Sequence, residues 1–102
     1  IFDYIDWRDG SPEIGKGTIS LNKETSKNFK EHLTIHNNNK DEKNFYSVFA
    51  LSLDGKVSGD MDGWGQKVSK KQIQALAVAE CMTNNKKEKC FIYAINDEVV
   101  WK

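Results

Sequence analysis

From Phe45 to Leu53 (FYSVFALSL) the chain is aromatic or aliphatic at almost every position. A strand with one wet face alternates polar and apolar residues, so this run predicts a strand covered on both sides. Asp54 and Gly55 follow it. An Asp-Gly pair between two extended runs is a strong hairpin signal, because a type I′ turn needs positive φ at both central positions. The return strand is expected over Lys56 to Met61. Ser58 to Gly65 (SGDMDGWG) holds three of the seven glycines, so a bend or bulge is expected there.

Two segments carry a helical period. Ser69 with Gln72 makes a capping box, and Ile73, Ala77 and Cys81 recur every four residues. Ala75, Val78, Ala79 and Met82 lie off that stripe, which predicts a helix buried on more than one side and stopped by a left-handed residue at Asn84 or Asn85. A shorter helix is expected over Thr25 to His36, capped by Thr25 or Ser26, with Phe29 and Leu33 on one face. Asn37 to Lys43 has no apolar residue and reads as a surface loop. Cys90 to Ile95 (CFIYAI) reads as a strand, Asn96 to Glu98 as a turn, and Val99 to Trp101 as the returning strand.

At the other end, Phe2, Tyr4, Ile5 and Trp7 are too many large apolar residues for a free tail. Residues 1–17 are therefore expected to form an arm packed on the body, with a turn at Gly-Ser-Pro and a short strand around Ile19 and Leu21. The order strand, helix, hairpin, helix, hairpin predicts an α+β fold: an antiparallel sheet of about four to five strands with two helices packed on it. All of it fits in a single domain, residues 1–102, since a chain of this length has room for one core.

Composition narrows the function classes. No apolar run approaches the roughly 20 residues that cross a bilayer, so no membrane span is expected. Fifteen basic side chains balance fifteen acidic ones, and all the bases except Arg8 are Lys. With no net positive field and only one bidentate guanidinium, nucleic acid is not an expected partner. The chain opens on Ile1, and a processed polypeptide is expected.

Cys81 and Cys90 are the only cysteines. Two thiols cannot build a four-ligand thiolate zinc site, which leaves a disulfide or two idle thiols. A helix turning back onto the next strand can bring the two Cα atoms within the roughly 4.4–6.8 Å that a bridge requires. The expectation is a Cys81–Cys90 disulfide, which stabilises by about 2–3 kcal/mol and belongs to an oxidising compartment.

FALSLDGKVSG, the helix with Ala77 and Cys81, the strand opening at Cys90 and the Val-Val-Trp ending resemble a small domain of exported or hypothetical proteobacterial proteins. Ser52, Asp54, Gly55, Ala77, Cys81, Cys90, Tyr93, Ala94 and Trp101 carry the resemblance over roughly the last sixty residues. It implies a periplasmic or secreted location and a disulfide, and it implies no reaction.

Several constellations bear on chemistry. His32 and His36 are four apart and would share a helix face, yet further ligands are lacking, so a surface pair is expected and no metal. Asp54, Asp60 and Asp62 crowd a Gly-rich segment without calcium-loop spacing, and turn chemistry accounts for them. There is no Gly-x-Ser-x-Gly turn, Cys81 lies in an Ala-rich helix, and Gly15-Lys-Gly and Gly63-Trp-Gly are too short to cradle phosphate. No catalytic residue and no cofactor is assigned. Trp64, between two glycines, either caps the core or anchors an interface.

The expected function is that of a non-enzymatic exported domain binding a protein or small ligand, with Trp64, Asp60 and Asp62 as possible binding residues. The alternatives are a small hydrolase or hydrolase inhibitor using the Asp54–Asp62 loop, and an accessory domain of a longer protein.

Overall fold

A strand that is apolar on both sides needs a layer on each, and the chain supplies two helices for the purpose. The structure, a computed structural model, describes residues 12–64, 69–86 and 88–102. Its elements in chain order are α1 (Lys23–Asn39), β1 (Phe45–Ser52), β2 (Ser58–Trp64), α2 (Lys70–Asn84), β3 (Cys90–Ile95) and β4 (Glu98–Val99). The strands form one antiparallel sheet in the order β2-β1-β3-β4. The α+β class, the four-stranded sheet, the two helices and the single disulfide are as the sequence predicts.

β1 is central, and every residue after Phe45 in it is buried. Alternate side chains leave opposite faces. Tyr46, Val48 and Ala50 pack with Ile73, Ala77, Val78 and Cys81 of α2. Phe49 and Leu51 pack on the other side with Ala94 and Trp101, and Phe29 of α1 joins them.

Local details depart from the sequence reading in instructive ways. The hairpin turn is not the two-residue type I′ form: Gly55 N–H donates to the Ser52 carbonyl at 2.9 Å, and only Gly55, at φ 75°, is left-handed. Asp54 instead staples the turn, its Oδ1 accepting from Ser52 Oγ at 2.7 Å and Lys56 N–H at 3.0 Å. α1 starts earlier and ends later than predicted, because Asn22 with Thr25 forms the capping box and the polar run through Asn39 stays helical. Ser69 does cap α2, but the left-handed residue beyond it is Lys86, at φ 55°.

Ser58–Trp64 is a regular strand, and the bulge lies in β3. Phe49 pairs with Ala94 and Ala50 with Ile92, leaving Tyr93 as the extra residue. Tyr93 and Ala94 consequently join the cluster under α1, while Ile92 and Ile95 join the one under α2.

The returning strand is shorter than expected, at Glu98–Val99. Its place along β3 is shared with the arm: Ile92 N–H donates to the Glu13 carbonyl at 2.8 Å, and Gly15 N–H to the Ile92 carbonyl at 3.1 Å. Gly15 lies flat against the Trp101 ring, where any Cβ would collide with the indole, and Trp101 Nε1 donates to the Gly17 carbonyl at 3.0 Å. Ile19 and Leu21 pack on the cluster around Phe49 without forming a strand. The expected packing of Phe2, Tyr4, Ile5 and Trp7 lies outside the described residues.

Candidate functional site

β2 is the long edge of the sheet. Ser52 N–H donates to the Val57 carbonyl at 2.8 Å, which sets the alternation of the hairpin ladder. Val57, Gly59, Met61 and Gly63 then point their backbone groups at β1, while Ser58, Asp60, Asp62 and Trp64 point theirs outward. The side chains sort the same way. Gly59, Met61 and Gly63 face α2, and Asp60, Asp62 and Trp64 stand opposite Phe49, Ser47 and Phe45 on the α1 face.

α2 covers the start of this edge. Asn84 Nδ2 donates to the Ser58 carbonyl at 3.3 Å, and the Glu80 carboxylate takes the Asp60 N–H. Burial pushes the Glu80 carboxyl above its usual range, and nearby Asp60 adds to the rise. A polar groove of about 440 Å³ opens beside Ser58, lined by Glu24, Asn28, Lys56 and Asn84.

Beneath α1 the site is built from rings and carboxylates. The inward stripe of α1 is Thr25, Phe29, His32 and His36, not Phe29 and Leu33 alone, so the expected surface His pair is corrected. His32 is 2% exposed, stacked on Phe29 at 5.9 Å and tilted on Phe49 at 5.6 Å. Its Nε2 lies 2.7 Å from the Asn96 carbonyl, and since a carbonyl only accepts, Nε2 carries the proton. Burial holds the His32 pKa below its ordinary value, against the opposing pull of that carbonyl and of Asp60. Burial likewise raises the Asp60 carboxyl; His32 opposes this, while Asp62 and Glu31 add repulsion.

The neighbouring ring, His36, reaches Asp97 Oδ1 at 3.9 Å through Nε2, and its Nδ1 is buried without a hydrogen-bond partner. The Ser47 hydroxyl is also buried and unpartnered, although Asn96 satisfies the Ser47 backbone on both sides, at 3.1 and 2.7 Å. Among the described residues no three His, Cys, Asp or Glu side chains stand where they could share a metal ion.

Asp60 and Asp62 thus come together on a strand, whereas Asp54 stays at the hairpin tip. There the Ser52 hydroxyl and the Lys56 N–H hold its carboxyl below the usual range. Trp64 is 39% exposed, donates from Nε1 to Glu42 Oε2 at 2.7 Å, and meets the Phe45 ring edge-on at 5.5 Å. It closes the Phe45 end of the α1 face with one side open to solvent. Cys81 and Cys90 are bridged, with Cα atoms 6.0 Å apart.

Sequence reasoning gave Ser47, Glu80, Asn84 and Asn96 no role in a site. Two of them carried a signal: Ser47 is a polar residue inside an apolar run, and Glu80 is the lone charge in ALAVAECM. No protein-family model matches the chain, and no curated protein or solved structure matches it.

Proposed function

We propose that this chain is a non-enzymatic binding domain of an exported bacterial protein, periplasmic or secreted, whose contact strip is Asp60, Asp62 and Trp64. The carrying observation is their placement: three side chains in a row on the long edge strand of a rigid sheet, on the rim of the face that α1 covers. Rigid placement lowers the ordering cost of binding, and a half-exposed Trp is a good anchor. The disulfide is compatible with an oxidising compartment and so supports export. The test is capture of partners from a native envelope fraction. Trp64→Ala and the pair Asp60→Ala, Asp62→Ala should lose partners that the parent chain retains, and identical partner sets would overturn the reading.

One observation favours a second reading, a small hydrolase or hydrolase inhibitor: Asp60, whose carboxyl pKa burial raises, and His32 both flank Phe49 on the α1 face, an arrangement suited to acid–base work. Under it, Asp60→Asn abolishes turnover of an ester or glycoside substrate, or loses inhibition of a hydrolase, while the fold is kept.

A further inference from the structure

Resting on the binding-domain reading, we infer that the partner is an extended segment carrying Lys or Arg at alternate positions, which adds to the sheet as a new strand along Asp60–Trp64. The first outward groups of β2 are occupied, Ser58 C=O by Asn84 and Asp60 N–H by Glu80. From the Asp60 carbonyl onward, no hydrogen bond from the described residues meets the outward backbone groups. An open run of donors and acceptors on an edge strand is a template for strand addition, in which the main chain supplies affinity and alternate side chains supply specificity.

Charge selects the occupant. A strand laid beside β2 places every second side chain next to Asp60 and Asp62, with Glu31 of α1 and Glu80 of α2 within electrostatic reach of Asp60. No basic side chain is placed on that face by the hairpin pairs, and the Ser47 hydroxyl, 1% exposed and unpartnered, lies directly across from Asp62. Cations at alternate positions would offset this carboxylate repulsion. A second copy of the chain would not, because pairing one β2 against another sets Asp60 and Asp62 against the same carboxylates. Trp64 then closes the end of the added strand.

The probe is a synthetic peptide alternating Lys with Thr or Val, and the readout is amide hydrogen exchange of the whole disulfide-bonded chain. Exchange at the Asp62 and Trp64 amides should slow about tenfold or more. A Glu-for-Lys peptide should give no protection, and Asp60→Lys with Asp62→Lys should reverse the preference. Asp62→Pro removes an outward donor while sparing the ladder to β1, and should abolish protection. Should that variant fail to fold, the charge reversal still decides.

Equal binding of a Lys peptide interrupted by proline, binding without protection of β2, or a concentration-dependent dimer protected at β2 would each overturn strand addition. If these peptides fail while Trp64→Ala and the Asp60/Asp62 pair still lose partners from the envelope fraction, strand addition falls and the binding domain stands.

Discussion

The two faces of the sheet are closed by different means. Under α2 the contact is made by small side chains and by backbone: a Cβ on Gly59 would come within 2.8 Å of the Ala77 carbonyl, and six residues of the helix are buried. Under α1 only Thr25 and His32 of the helix are buried, and the space is filled by Phe29, Phe49, Tyr93 and Trp101, Phe29 meeting Tyr93 edge to face while the Phe29–Phe49 and Tyr93–Trp101 pairs are tilted. Close approach of backbones leaves no slack under α2, whereas the ring-packed side admits polar groups among its aromatics. The α1 face accordingly holds His32, His36, Ser47 and the two strand aspartates, and the α2 face holds the disulfide. The α2 face is closed by backbone and small side chains, and the α1 face carries the buried histidine and the strand aspartates.

The largest expected break in this contrast is Gly59→Ala. The added methyl meets helix backbone that cannot yield, so about 3 kcal/mol of stability should be lost. Gly63→Ala, which meets only the flexible tip of Ile73 at 3.3 Å, should cost less than about 1 kcal/mol. Thermal melts of the two variants measure the difference. Next comes the bridge: replacing Cys81 and Cys90 by Ala should cost about 2.5 kcal/mol, read by denaturant unfolding of both forms under non-reducing conditions.

The α1 face should respond to pH. Burial holds the folded His32 pKa below the unfolded value, so between the two the unfolded chain binds more protons, and stability falls as pH drops through that window. His32→Phe should lose about 1 kcal/mol at alkaline pH, where the Asn96 carbonyl loses its donor, and should flatten the decline at mildly acidic pH. Unfolding midpoints across pH check both effects. The smallest effect is a gain. Asp60 has its folded pKa raised, so its ionised form costs stability at neutral pH. Asp60→Asn should raise Tm by roughly 2–4 °C at neutral pH, and the gain should vanish in acid strong enough to protonate the aspartate in both states.

The strong periodic elements were legible in the chain because their signals are local. Phe45–Ser52 as a two-faced strand, the Ser69 cap, the strand opening at Cys90 and the bridge pairing all follow from runs, caps and loop length. The site was legible only in its residue types. Asp60 and Asp62 looked like turn formers because glycines surround them. Those glycines serve another purpose: Gly59 and Gly63 lie on the α2 face and let the helix sit close to the strand.

By itself the sequence determined the class of the fold, the cross-link and the absence of any apolar stretch long enough to span a bilayer. The tertiary structure decided which strand is the edge, that His32 is a core residue, and that the bulge at Tyr93 turns two successive side chains to the α1 face. The physical reason is the range of the forces involved. Periodicity and capping act over a few residues, whereas edge position, desolvation of a ring and sheet register depend on contacts between segments far apart in the chain.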